Sequence, residues 1–252
     1  MTELPPIRRQ VVVRGTREAA FAVFTDEIGL WWPLDDLSVY GSGTTVGFDN
    51  GRLVERGPDG REATWGTVLD WAPPEFLRIT WHPAAGPESA SEVRVRFEAV
   101  DDDLTLVTLE HQGWERFDDP TAARDEYGNG WPRVMGGYAA RTVDSGQKVA
   151  AEGPVWLVLM HTAGPALPSG ELVFTQPDFA EHIAFLDRMA ERGVLVAAGS
   201  LDRRSSGMAV LRIPDPADVP GYTALAQDDD LSVARELLQV RVQPWHVAMA
   251  GV

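Results

Sequence analysis

The sequence predicts an α+β chain of two successive units. Three observations carry that reading. Between Pro33 and His111 large apolar side chains repeat with a period of two. Residues 127–142 switch to helical spacing. After a stretch without pattern, the order β-α-β-β-α-β follows to the end. A chain of 252 residues suffices for one large or two ordinary domains. The boundaries read as 1–145 for the first unit, 146–153 for a linker rich in turn formers, and 154–252 for the second.

Ile7–Val13 is a short β-rich strand. Thr16 caps a helix whose first turn holds Glu18 and whose apolar face is Ala19, Ala20, Val23 and Phe24. Trp31-Trp32-Pro33 closes that region, because proline cannot continue a helix. Pro58-Asp59-Gly60 is a turn: a fixed φ, an oxygen acceptor, then a permissive glycine. Ala63, Trp65, Thr67, Leu69 and Trp71 then alternate with smaller or polar residues, which predicts one face of a strand. Leu77–Trp81, Val93–Phe97 and Leu104–His111 continue the meander.

Tyr127, Trp131, Val134, Met135, Tyr138 and Thr142 share one face of a long helix. Gly128, Gly130, Gly136 and Gly137 sit within it, and each costs about 1 kcal/mol relative to alanine. Such a helix is expected to press closely on a sheet or a ligand.

In the second half Val155–Met160 restarts as an apolar strand. In Phe179–Arg192 a stripe of Phe179, Ile183, Leu186 and Ala190 is widened by His182, Phe185 and Met189. Arg192-Gly193 is a helix stop, and the unbroken apolar run Val194–Ala198 predicts an interior strand. Met208–Ile213 is the third strand, Tyr222–Gln227 and Leu231–Leu237 are short helices, and Val240–Pro244 is the last strand.

Composition excludes several classes of function. There is no cysteine, hence no disulfide framework, thiolate metal site or cysteine nucleophile. The formal net charge is −16, with 25 acids to 14 bases in residues 1–145 and 13 to 8 in residues 146–252. Lys148 is the only lysine. Nucleic acid and anionic membrane surfaces, which attract Lys and Arg, are not expected partners. No apolar run is long enough to span a membrane and no signal-peptide pattern opens the chain, so the expected location is the cytoplasm. Phosphate loops, GxSxG elbows and dinucleotide fingerprints are missing from strand-then-helix contexts. His82, His111 and His246 are scattered without metal-ligand spacing, so no metal and no cofactor is expected.

Two resemblances sharpen this. The stretches AFAVFTDEIGLWWP, ERGPDGREATWGTVLDW, LRITWHP, VTLEHQGWERF and YGNGWPRVMGGY make residues 5–142 resemble the START/polyketide-cyclase-like (SRPBCC) superfamily. The branch is the one similar to the activator of the large heat-shock chaperone ATPase. The resemblance implies a helix-grip fold, an antiparallel sheet around a long C-terminal helix, with an apolar cavity between. Trp65, Trp81, Trp131, Met135 and Tyr138 are then candidate walls for a small hydrophobic ligand, with Glu110 and His111 at its end. The alternative is an ordinary aromatic core.

The stretches VLMHTAGPA, EHIAFLDRMAERGVLVAAGSLD, GMAVLRI and VQPW make residues 154–246 resemble the YciI-like (YCII-related) family. That implies a ferredoxin-like fold, a homodimer through packed sheets, and a His–Asp pair whose histidine falls on His182. Counting back from Pro244 places the aspartate on Asp229. Where the family commonly has Asp-Pro, this chain has Asp229-Asp230, so Asp228 and Asp230 remain rivals.

A histidine whose other nitrogen is held by a carboxylate suits acid–base work of a lyase or hydrolase type on a small molecule. Equally, His182 can be a helix-face histidine bonded to a backbone carbonyl, and Asp229 a cap for the helix after it. Asp202 either lines the same cleft or makes a turn. His161 either binds an anionic substrate group or merely ends its strand. The rival functions are a non-catalytic ligand sensor or chaperone accessory, and an interaction module that dimerises through the second sheet.

Overall fold

The computed structural model describes residues 4–83, 85–144, 154–202, 205–245 and 247. The chain divides into two compact units, Met1–Val149 and Ala150–Val252. The expected linker at 146–153 and His246 lie outside the described residues.

The first unit runs β1 (Ile7–Arg14), α1 (Arg17–Thr25), α2 (Ile28–Trp31), β2 (Thr45–Asp49), β3 (Arg52–Arg56), β4 (Glu62–Ala72), β5 (Phe76–Trp81), β6 (Ser91–Ala99), β7 (Leu104–Gln112) and α3 (Pro120–Asp144). Its seven strands form one antiparallel sheet in the order β1-β7-β6-β5-β4-β3-β2. The long α3 packs on it as in a helix-grip fold. Thr16 caps α1 as expected, accepting from the Ala19 N–H.

Valines, leucines and aromatics at alternate positions of β1, β5, β6 and β7 face the interior, among them Val11, Val13, Leu77, Ile79, Val95 and Leu109. The period breaks in β4. Register shifts opposite Leu53/Val54 and between Val68 and Asp70 act as bulges. Trp65 is therefore buried, while Leu69 and Trp71, expected on the same face, are about 42–43% exposed.

Tyr138 of α3 donates to the Ala20 carbonyl, and Arg141 pairs with Glu27 at 2.6 Å. A Cβ on Gly137 would meet the Trp31 carbonyl oxygen at 2.5 Å, so this glycine answers to a close helix approach. Gly130 and Gly136 have open space around them instead. Pro132 lies inside α3 and cannot donate to the Gly128 carbonyl. Arg9 of β1 supplies the missing donor at 3.2 Å.

The second unit runs β8 (Val155–Ala163), α4 (Phe179–Glu191), β9 (Leu195–Ser200), β10 (Gly207–Ile213), α5 (Val219–Asp228), α6 (Leu231–Ala234) and β11 (Leu238–Trp245). Its sheet is antiparallel throughout, in the order β11-β8-β10-β9. A C-terminal motif ends α4: Gly193, at φ +70°, donates to the Ala190 carbonyl and Val194 to that of Met189.

Two expectations are corrected here. The buried stripe of α4 is His182, Phe185 and Met189, whereas Ile183 is 45% exposed. The run Val194–Ala198 does not form an interior strand: β9 ends the sheet, and Val196 is 51% exposed.

Candidate active site in the second unit

Strand parity sets the first member. Along β8, Val155, Leu157, Leu159 and His161 are buried and their neighbours less so. His161 therefore occupies a core position, 2% exposed. The second member follows from helical spacing, since His182 lies on the same stripe as Phe185 and Met189. The two imidazoles sit 4.6 Å apart, centroid to centroid, at 62°.

The third member comes from the junction of α5 and α6. Asp229 still has helical dihedrals, φ −92° and ψ −20°, as the C-cap of α5. Its carboxylate therefore points outward to Arg188, at 3.0 Å, whose guanidinium also donates to the Asp229 carbonyl. Asp230 has extended dihedrals, φ −77° and ψ 95°, as the N-cap of α6. It is fully buried: Oδ1 accepts from the Ser232 N–H at 3.1 Å, and Oδ2 lies 2.6 Å from His182 Nδ1. The pairing expected for Asp229 is made by Asp230, and so is the cap. Asp228 closes α5 and takes no part in the His182 contact.

An ionised carboxylate only accepts, so Nδ1 of His182 carries the proton and Nε2 is the basic nitrogen. His182 borders an open cavity of about 240 Å³, which His161 also lines. Its walls are mainly apolar, with Phe174, Phe179, Leu186 and Met208 among them, and Ser200, Ser205 and Ser206 add hydroxyls. Asp202 shapes the rim by accepting from the Ser205 and Ser206 N–H groups at 3.0 Å, which makes it a turn residue.

Neither ring nitrogen of His161 makes a hydrogen bond of normal geometry, the nearby Leu159 backbone included. Burial and the adjacent His182 push its pKa down to about 4, with Asp230 and the Leu159 backbone pulling the other way. Strand parity signals the inward direction of His161, which the sequence leaves as either an anion-binding group or a strand end.

Of the residues expected to wall a cavity in the first unit, Trp65, Trp81 and Trp131 pack on one another, and Tyr138 packs on Phe24 and Trp31. Trp65, Trp81, Trp131, Met135 and Tyr138 are each no more than 5% exposed. Trp81 contacts Trp65 at 6.0 Å and Trp131 at 5.4 Å, and Trp32 wedges among all three. Glu110 does not face this interior: it lies on the outer sheet surface beside Arg8, at 3.6 Å.

His111 does face it. Its Nδ1 accepts from Trp131 Nε1 at 3.1 Å, so its Nε2–H donates to Ser91 Oγ at 2.7 Å, and that hydroxyl donates to the Trp81 carbonyl. Burial pushes the His111 pKa down to about 3. A second buried polar group escaped the sequence reading. Glu55 is fully buried and accepts from the Val39 and Tyr40 N–H groups and from Trp65 Nε1. These networks are closed on themselves and serve the fold.

Residues 14–139 match the protein family described as Activator of Hsp90 ATPase homolog 1-like protein. No curated protein matches the sequence. Among solved structures, the self-sacrificing resistance protein CalC from Micromonospora echinospora is 28% identical, with a TM-score of 0.46 over 57% of this chain and 97% of its own. An anthrahydroquino-γ-pyrone synthase is 29% identical, with a TM-score of 0.39 over 56% of this chain and 99% of its own. An Hsp90 activator from Plasmodium falciparum is 20% identical, with a TM-score of 0.32 over 43% and 73%.

Proposed function

The chain belongs, through residues 14–139, to the Activator of Hsp90 ATPase homolog 1-like family, and from that premise we propose a cytoplasmic two-domain protein whose chemistry resides in the second unit. There a YciI-like, ferredoxin-like domain uses His182 and Asp230 as an acid–base pair on a small, mainly apolar molecule. The observation that carries this reading is the 2.6 Å contact of Asp230 with His182 Nδ1 beside an open cavity. Asp230 fixes the tautomer and stabilises the imidazolium that forms when Nε2 takes a proton. Abstraction of an acidic C–H proton, addition of water and hydrolysis all fit this equipment. A cavity of about 240 Å³ is smaller than drug-sized sites, which suits a substrate of one ring or a short chain.

A panel of neutral single-ring lactones, esters and ketones tests the reading by thermal shift, followed by NMR detection of product or of solvent deuterium uptake. A binding compound is expected to turn over with the wild type and not with His182→Ala of unchanged circular dichroism. Equal turnover by that variant, or no binder in the panel, would remove the acid–base reading.

A second reading applies to the first unit alone. Its tryptophan-packed interior favours a non-catalytic accessory role, chaperone-directed as the family description suggests, over a hydrophobic-ligand store. Homodimerisation through the second sheet belongs to the YciI-like reading and is checked by sedimentation.

A further inference from the structure

The acid–base reading leaves one group of the site without a task. His161 is buried at a β8 position that continues the phase of Leu157 and Leu159, where an aliphatic side chain would complete the core. Burying a polar group without a partner is costly, and nearly all such groups in folded proteins are satisfied. Both nitrogens of His161 go without one. They lie beside a second imidazole and a buried carboxylate, and the His161 side chain borders a cavity open to solvent. One donor atom each from His161, His182 and Asp230 fall within 4.8 Å of one another.

We propose that His161, His182 and Asp230 bind a divalent first-row transition metal ion, with water or substrate completing its coordination from the cavity. Two imidazoles and one carboxylate suit Zn²⁺ and its neighbours, whereas Mg²⁺ and Ca²⁺ take oxygen-rich sets. Ligand bonds of about 2.0–2.2 Å hold tetrahedral donors roughly 3.4 Å apart, so the set needs small side-chain shifts in which the 2.6 Å His182–Asp230 hydrogen bond gives way to the ion. No sequence spacing announces the set, because its members come from β8, α4 and the α5–α6 junction. The proposal deepens the reading of the same cavity as the reaction site and rests on it there. A bound ion engages His182 as ligand and passes the acid–base role to a coordinated water of lowered pKa.

The test uses the full chain after dialysis against EDTA. Calorimetric titration with Zn²⁺ is expected to show one equivalent bound with micromolar or tighter affinity, and Co²⁺ to give visible bands of low-symmetry coordination. His161→Ala and Asp230→Asn should each weaken binding tenfold or more, while His82→Gln, outside the cluster, should not. Should His161→Ala fail to fold, His161→Gln replaces it, and the imidazole NMR signals of the wild type are followed on adding Zn²⁺. Absence of binding, or binding indifferent to His161, overturns the proposal.

Calorimetry needs no substrate, so the two readings fail separately. Stoichiometric, His161-dependent binding without any turnover removes the acid–base reading alone. Turnover unchanged by EDTA and by His161→Ala removes the metal alone.

Discussion

Asp230 Oδ2 lies 2.6 Å from His182 Nδ1, whereas the adjacent Asp229 turns away to Arg188. Two consecutive carboxylates thus carry different duties, and the backbone dihedrals of each decide which. Asp230→Asn can keep the α6 cap through its carbonyl oxygen but then turns an NH₂ towards His182 Nδ1, removing the tautomer-fixing acceptor and costing about 1–3 kcal/mol in urea unfolding. Asp229→Asn breaks a half-exposed ion pair and should cost less than about 1 kcal/mol. Nitrogen-15 NMR of His182 should report loss of the Nδ1–H tautomer preference only in the first variant. Equal responses would mean that the assignment of the pair is wrong.

The α3 glycines separate into two kinds. Gly136→Ala meets open space and should stabilise by up to about 1 kcal/mol through helix propensity. Gly137→Ala drives a methyl against the Trp31 carbonyl and should destabilise by about 1–3 kcal/mol despite the same propensity gain. Urea midpoints of the two variants give the comparison directly.

His111 should make the first unit acid-sensitive. The groups facing it are Ser91 from β6, Tyr127 and Trp131 from α3, and Trp114 after β7. None is charged near neutrality, and burial with the Glu126 charge raises Tyr127 to about 12. The folded pKa of His111, about 3, is below the unfolded value of roughly 6.5. Its contribution is therefore complete above about pH 6.5 and is lost as the pH falls towards 3, because the unfolded chain binds the proton that the folded chain refuses. Between pH 7.5 and 4.5 the wild type should lose about 2–3 kcal/mol more than His111→Gln. Tryptophan fluorescence during urea unfolding reads this out, seven of the nine tryptophans lying in the first unit.

Glu55 should resist replacement by its amide. Both oxygens accept from N–H groups, so Glu55→Gln must turn an NH₂ towards a donor in a dry interior. A loss of about 1–3 kcal/mol in thermal or urea unfolding is expected. A neutral outcome would overturn the assignment of both Glu55 oxygens as required acceptors.

The strand-then-helix order of both units was legible because alternation and helical spacing act locally, as at Thr16 and Gly193. What escaped depends on tertiary context. In α4, Ile183 and His182 lie on adjacent helix faces, and spacing alone does not say which turns inward. In β9, Ala197 and Ala198 read as interior although they carry little apolar area, so leaving them in water costs little. Counting residues placed the site aspartate one position early, because side-chain direction at the α5–α6 junction depends on dihedrals that no motif encodes. The aromatic stripe on α3 was read correctly as facing inward, but whether tryptophans enclose space or fill it depends on how they interlock.

The terminal position of β9 bears on how this chain behaves at high concentration. Residues 194–201, Val-Leu-Val-Ala-Ala-Gly-Ser-Leu, hold neither a charge nor a proline, the usual devices that stop one sheet from extending into another. Long-range repulsion between chains of net charge −16 supplies that protection instead. Salt shortens its reach to about 10 Å at 0.1 M. Colloidal stability should therefore fall with added salt, and light scattering should improve again when Val196 is replaced by lysine.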